Sequence, residues 1–358
     1  MEDLDLTATG FWAGRRVVVT GHTGFKGAWL ALWLEAMGAD VTGLALEPTD
    51  GAGAYASLHP STRAPDAPVD VCDPAAVHER LASSSASVVL HLAAQALVRQ
   101  GYADPVGTYQ TNVMGTAHVL EACAHLPDVR AVVVVTSDKV YANAPGATSF
   151  REDDRLGGDD PYSASKACAE LVASAWRRSV ADRAEVAVAT ARAGNVIGGG
   201  DTAVDRLLPD VQRALASRQP LRLRYPAAVR PWQHVLEPVA GYLLLAERLA
   251  TDPASCPPAV NFGPGPDACR SVAEIAELAF AVAGAGSSEP EPVPQPPEHH
   301  VLTLDSSLAD ASLGWRPRLT IDEAVGWTVD WWNAQRDGHD LQATSLGQIR
   351  EYVARAQT

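Results

Sequence analysis

The sequence is poor in positive charge: 28 Lys and Arg stand against 43 Asp and Glu in 358 residues, a formal net charge of -15. Nucleic acid needs a basic face to neutralise its phosphates, so no nucleic-acid partner is expected. A nucleotide stays open, because a small basic cluster inside an acidic protein suffices. Cysteine is also scarce. Cys72, Cys123, Cys168, Cys256 and Cys269 are odd in number, widely spread and without a C-x-x-C pair. That argues for reduced thiols in a cytoplasm, with no zinc site. No apolar run reaches membrane-spanning length, and the opening MEDLDLTATG lacks the basic and apolar regions of a signal peptide. The expectation is a soluble, cytoplasmic protein without membrane contact. His299 and His300 are adjacent but lack Cys, Asp or Glu partners at ligand spacing, so no metal is expected. No internal repeat is present.

The length allows one large or two medium domains with a sizeable core. The stretch that organises the rest is RRVVVTGHTGFKGAWLALWLEAMGADVTGLAL, residues 15–46. An apolar run, Val17-Val18-Val19-Thr20, stops at a glycine as a buried parallel strand does. Gly21, Gly24 and Gly27 follow at G-x-x-G-x-x-G spacing, and Trp29, Leu30, Trp33, Leu34 and Met37 recur at helical intervals. Gly38 closes the helix, and residues 41–46 form a second strand. Bare backbone at such glycines lets a pyrophosphate approach a helix N-terminus, where N–H groups and the dipole favour an anion.

Further strands are expected at residues 69–71, 87–94, 131–136 and 185–191, with a helix at 102–123 that carries Asn112 near its middle. Residues 47–68 read as a loop with one helical turn. Ala45 and Glu47 stand near the place where an acidic residue often holds the adenine ribose, which leaves NAD and NADP undecided. Ser137-Asp138-Lys139 follow the strand at 131–136, at the edge where doubly wound folds keep their chemistry. A solvated turn would look similar.

Residues 160–179 open with DPYSASK and read as a helix. Tyr162 and Lys166 lie one turn apart on one face. An ammonium beside a phenol favours phenolate, drawing a reference pKa of roughly 10 toward neutrality. Such a tyrosine can take a proton from a sugar hydroxyl while hydride leaves the same carbon.

Together GHTGFKG (21–27), HLAAQ (91–95), TSDK (136–139), DPYSASK (160–166), RAGNVIGGGD (192–201) and RPWQHVLEP (230–238) resemble the extended short-chain dehydrogenase/reductase family. Within it the match is to the CDP-glucose 4,6-dehydratase branch, since related dehydratases tend to carry glutamate where Lys139 stands. The resemblance spans residues 11–332. It departs at residues 144–150, where a tryptophan-containing segment is usual, and at Thr202, where tryptophan is common. Both bear on the sugar or base more than on the chemistry.

The resemblance implies an α/β fold: a Rossmann-type doubly wound parallel sheet with a smaller C-terminal substrate-binding domain. Residues 1–195, completed by about 232–258, would bind NAD, and 196–358 mainly a nucleotide-sugar. NAD would be held by Gly21, Thr23, Gly24, Phe25, Gly27, Asp70, Val71, Leu92, Ala93, Ala94, Tyr162 and Lys166. Substrate would meet Gln95, Ser137, Asn195, Arg230 and His234. A homodimer or dimer of dimers is implied. Tyr162 would take the 4-hydroxyl proton as hydride passes from C4 to NAD, with Ser137 on the same oxygen. Asp138 would protonate the departing 6-hydroxyl, and hydride would return to C6. Lys139 would be the C5 base if neutral, or an enolate partner if charged. An epimerase or reductase would share Tyr162 and Lys166 but need no acid at Asp138. A non-catalytic NAD-binding scaffold would be expected to lose Tyr162 or Lys166.

The second half is expected to hold a helix at 206–217, an alternating strand at 221–225, helices at 236–250 and 271–283, and a closing helix at 321–332. Arg222, Arg224 and Arg230 are expected to form a basic cluster. Residues 287–297 read as an extended proline-rich loop, and the chain after Asn333 as a polar tail.

Overall fold

The computed structural model describes residues 10–48, 51, 53–62, 68–142, 149–180, 185–292 and 303–355. Its strands run in chain order as β1 (Arg16–Thr20), β2 (Asp40–Leu44), β3 (Val88–His91), β4 (Ala131–Val135) and β5 (Ala187–Ala193). They continue as β6 (Asn195–Ile197), β7 (Leu221–Leu223), β8 (Val229–His234), β9 (Ala259–Phe262), β10 (Cys269–Ser271) and β11 (Ser288–Pro290). Six form one sheet in the order β2-β1-β3-β4-β5-β9, every pair parallel.

Strand periodicity explains why both faces are covered. Val17 and Val19 of β1, Val88 and Leu90 of β3, and Val133 of β4 enter one apolar cluster. Their alternates Val18, Val89 and Val132 enter the other. The first cluster takes up the helices Phe25–Ala36 and Leu236–Thr251, and the second the helices Pro74–Ser84, Gly115–Ala124 and Pro161–Ser179. Side chains alternate across a strand, so an unbroken valine run demands helices on both sides. The chain leaves β1 toward β2 and returns on the other side to β3. That reversal opens a crevice at the carboxyl ends of β1 and β3, where such folds bind ligands.

β6, β8 and β10 form a second sheet, and β7 pairs with β11. Arg192 and Glu170 form an ion pair at 2.8 Å, each almost fully buried. Glu170 also accepts the Thr136 hydroxyl and, at 2.7 Å, that of Thr190. Removing one partner of such a buried pair costs roughly 3–5 kcal/mol. The network fixes the ends of β4 and β5, from which residues 136–139 and 192–195 emerge.

Several expectations are corrected. Residues 69–71 form no strand; Val69 makes one backbone bond to Ala45, at 2.8 Å. The helix expected at 102–123 breaks at Asp104-Pro105 and widens into a π turn, Gln110–Met114. Part of the proline-rich loop pairs as β11, and the tail holds a helix, Leu341–Ala354. Arg222 and Arg224 do not cluster with Arg230: Glu289 holds the first at 3.1 Å and Asp205 the second at 2.6 Å. His299, His300 and most of the 144–150 segment lie outside the described residues. Among the described residues no helix is long and apolar enough to cross a membrane.

Candidate active site

Gly21 leaves β1 with φ +71°, and a Cβ there would come within 2.7 Å of the Ala93 backbone nitrogen. The glycine turn and the Leu92–Ala93–Ala94 loop are thus in direct contact. A Cβ at Gly27 would fall 2.1 Å from the Gly21 carbonyl, so the helix can lie against the turn only with glycine there. At Gly24 a Cβ would meet nothing within 4 Å except the Gly21 oxygen at 3.3 Å. Gly24 caps the helix without a side chain. Open space above an uncapped helix start suits a pyrophosphate, so these residues fit a dinucleotide. Thr23 donates to the Leu46 carbonyl at 3.1 Å, tying the turn to the end of the β2 strand run, and Phe25 packs on Gly198. Asp70 accepts the Cys72 N–H at 2.9 Å, and the buried Val71 offers its carbonyl to the His118 ring.

The helix Pro161–Ser179 starts where Asp160 caps it, accepting the N–H groups of Tyr162 at 2.9 Å and Ser163 at 3.0 Å. Its first turns carry Tyr162 and Lys166 to the edge of β4. Lys166 Nζ donates to the Val135 carbonyl at 3.2 Å. The Tyr162 phenol is buried near Ser137 and Asp138, both of which act on its pKa. Ser137 Oγ donates to Asp138 Oδ1 at 2.9 Å and accepts the Lys139 N–H at 3.2 Å. Asp138 is 2% exposed, and its Oδ2 has no hydrogen-bond partner.

Burial raises the Asp138 carboxyl above the ordinary range, and the charges of Lys139, Arg230 and Lys26 only offset it. Burial likewise raises the Tyr162 phenol, with Ser137 working the other way. This corrects the expectation that Lys166 draws the phenol toward neutrality. Lys166 is itself pushed down to about 7, by burial first and then by the charge of Lys26. An ammonium that sheds its proton so readily, and is tied to a carbonyl, has little charge to lend.

Arg230 is buried, donates to the Val229 carbonyl at 2.9 Å and faces Asp138. The half-buried Asn195 stands beside Trp232 in the second sheet. Gln95 stays near Tyr162, on the other side of Gly101, whereas His234 is not brought to the site as expected. Gln95 spends its amide on Thr108 Oγ1, at 2.9 Å, and on the Leu97 N–H. His234 is fully buried between the rings of Trp29 and Trp327, at 6.0 and 5.7 Å; the apolar core claims it.

Sequence reasoning missed two residues. Asn112, placed by the sequence only near the middle of a helix, bonds Gln95 at both backbone atoms and Ser165 Oγ at 2.8 Å. Ser165 in turn donates to the Tyr162 carbonyl at 2.7 Å. Lys26 enters from the glycine-turn helix, its Nζ 5.9 Å from the Tyr242 ring centroid, and its charge meets Asp138 and Lys166. A signal for it existed. The chain holds three lysines against 25 arginines, and Lys26, Lys139 and Lys166 all converge here.

A doubly wound parallel sheet with a glycine turn at its switch point, and a Tyr-Lys helix beside it, defines the Rossmann-type dinucleotide-binding class. Within that class the chain belongs to the NAD dependent epimerase/dehydratase family, whose model matches residues 17–263. It is 43% identical to the CDP-glucose 4,6-dehydratase of Salmonella typhimurium over 96% of this chain and 98% of that protein. It is 30% identical to the dTDP-glucose 4,6-dehydratase of Mycolicibacterium smegmatis, over 89% of this chain and 93% of the relative. Among solved structures it resembles DesIV, a dTDP-glucose 4,6-dehydratase from Streptomyces venezuelae with NAD and TYD bound. The TM-score is 0.79 at 25% identity, covering 91% of this chain and 99% of that one.

Proposed function

We infer that this chain is an NAD-dependent nucleotide-sugar 4,6-dehydratase whose substrate is CDP-glucose. The observation that carries the reading is Asp138, a buried carboxyl beside the Tyr162 phenol that accepts the Ser137 hydroxyl at 2.9 Å and has its pKa raised by burial. An epimerase needs the phenol but not the acid. The similarity to the Salmonella enzyme supports the choice of CDP-glucose.

Bound NAD supplies a hydride acceptor for C4 of the sugar and the donor that later reduces C6. Tyr162 takes the proton of the 4-hydroxyl, a role that needs its phenolate, which burial opposes and Ser137 favours, and Ser137 hydrogen-bonds that oxygen. The 4-ketone acidifies the C5 proton. Asp138 then protonates the 6-hydroxyl as it leaves, which its raised pKa permits. Lys139 serves C5, as base when neutral and as the enolate's counter-cation when charged. Arg230 grips the diphosphate, for which paired guanidinium donors suit two oxygens.

We assign residues 1–195, completed by 232–258, to NAD and most of 196–358 to the nucleotide-sugar. A second copy of the chain covers the helices that expose Tyr102, Val106, Tyr109, Met114 and Leu171. Five free cysteines suit a cytoplasmic setting.

Denaturing the protein and assaying the released cofactor, then incubating it with CDP-glucose and weighing the product, tests the reading. Loss of one water supports dehydration. An unchanged mass with an inverted C4 would make it an epimerase, and no product with any nucleotide-glucose would make it a binding protein.

A further inference from the structure

Asp138 and Lys139 sit on a short 3₁₀ turn, Asp138–Val140, that Ser137 caps. The Val140 N–H meets the Ser137 carbonyl only at 3.4 Å, beyond the roughly 2.7–3.2 Å of an ordinary N–H···O bond. Firmer bonds come from the flanking residues. Thr136, ahead of Ser137, donates its hydroxyl to Glu170, and its N–H bonds the Ala191 carbonyl at 2.8 Å. Tyr141, directly after the turn, accepts Arg192 Nη1 at 2.7 Å and donates to Asn261 Oδ1 at 2.6 Å. Glu170 and Arg192 are joined by two parallel bonds, Nε to Oε1 at 2.9 Å and Nη2 to Oε2 at 2.8 Å. One buried ion pair thus grips the turn at both ends.

Tyr141 is 3% exposed, and its ring lies flat on that of Phe150, with centroids 4.8 Å apart and planes 2° apart. Its hydroxyl is committed, the proton to Asn261 and a lone pair to Arg192. A phenol so placed is an anchor and not a reactant. Asn261 belongs to β9, the last strand of the main sheet, and also donates to the Phe150 carbonyl at 3.0 Å. Arg192 leads in two residues to Gly194, whose backbone borders the Asp138 carboxylate. The acid and the wall beside it are therefore set by the same guanidinium.

We propose that Tyr141 is a positioning residue for the acid: by tying the far end of the turn to Arg192 and Asn261, it sets where the Asp138 carboxyl stands. The proposal rests on the dehydratase reading above. Ser137, at the near end, is held through Thr136 and does not need the phenol. Loss of the Tyr141 hydroxyl therefore separates two steps that one turn serves. Oxidation at C4, which uses Tyr162 and Ser137, keeps its geometry. Water loss, which uses Asp138, does not.

The test is Tyr141→Phe, which deletes one oxygen and keeps the ring on Phe150. The holoenzyme is mixed with CDP-glucose in stopped-flow single turnovers. Reduced cofactor should form within a few-fold of the parent's rate and then persist, because water loss slows by on the order of ten- to a hundredfold. Affinity for CDP, which cannot react, should be kept by calorimetry while kcat falls. A variant merely loosened throughout would lose oxidation, water loss and CDP affinity together, and that outcome overturns the positioning role. So does a variant that matches its parent. Should Tyr141→Phe not fold, Phe150→Leu decides. Removing the ring on which the phenol lies should give the same persistence of reduced cofactor, and its absence overturns the proposal. A parent that yields no dehydrated product sinks the dehydratase reading and this role with it. A dehydrating parent whose variant slows both steps equally sinks the positioning role alone.

Discussion

Gly194 lies directly against the carboxylate of Asp138. A Cβ at this position would stand 3.1 Å from Asp138 Oδ2 and 2.7 Å from Pro231 Cγ, so only hydrogen fits between the two. Gly194→Ala should therefore push the acid or the Arg230–Pro231 strand aside while the sheet stays folded. Misplacing a reacting group by about 1 Å costs on the order of a hundredfold. Turnover should fall by about that factor with the melting temperature nearly kept; an unaffected rate would mean that the carboxyl's position is irrelevant.

Tyr162→Phe removes the proton acceptor and little else, since the ring stays to fill its place. NAD content and folding should be retained, and turnover should drop by roughly 10²–10⁴, the range for losing a general base. Quantifying released cofactor beside kcat makes the check, and a near-normal rate refutes the assignment.

Asp138→Asn should slow water loss more than oxidation, so that cofactor absorbance at the reduced form's wavelength builds up in a single turnover. The pH profile gives a second handle. Only the protonated acid can donate, and burial keeps it protonated to higher pH than an ordinary aspartate. The parent's elimination rate should therefore decline as pH rises through that elevated value. The decline should vanish in Asp138→Asn, and a variant with the parent's rate and limb would take Asp138 out of the mechanism.

Lys166 should cost the fold stability. Its ammonium holds its proton only to about 7 in the folded protein, against roughly 10.4 in an unfolded chain. Burying the charge is fully penalised below the lower value, and the penalty fades as pH climbs toward the higher one. Lys166→Met should thus raise Tm more near pH 6 than near pH 9 while activity falls. An equal gain at both pH values would show that the lysine is neutral throughout.

Arg230 reads charge, not shape. Truncation to Ala removes charge-assisted bonds worth roughly 1.5–3 kcal/mol, about ten- to a hundredfold in affinity. The loss should be uniform for CDP-glucose, UDP-glucose and dTDP-glucose by calorimetry. A loss confined to one base would place Arg230 at the nucleobase instead.

Local pattern made much of this legible before any coordinates. The valine run, the glycine triplet and the tryptophan spacing place β1 and its helix within a residue or two of Arg16–Thr20 and Phe25–Ala36. The helix start at DPYSASK and the pair at Tyr162 and Lys166 were visible because they lie within little more than one helical turn. What stayed hidden depends on the chain's return. Arg224 meets Asp205, and Arg222 meets Glu289 opposite it on β11, only once segments distant in the sequence are brought together. Gln95 and His234 have side chains that suit a ligand, but neighbours on other elements claim them. The π turn around Asn112 leaves no mark on the apolar spacing, and the Leu341–Ala354 helix has too weak an apolar stripe to announce itself.

The confinement of Lys26, Lys139 and Lys166 to one cleft also alters how the protein can be handled chemically. Reagents that acylate primary amines normally decorate an exterior at random, but here arginine has replaced lysine everywhere else. Apart from the terminal amine, every target such a reagent has lies in the cleft. Mass spectra of labelled protein thus become an occupancy meter, in which a seated ligand is read as acyl groups not gained, free of any background from the surface.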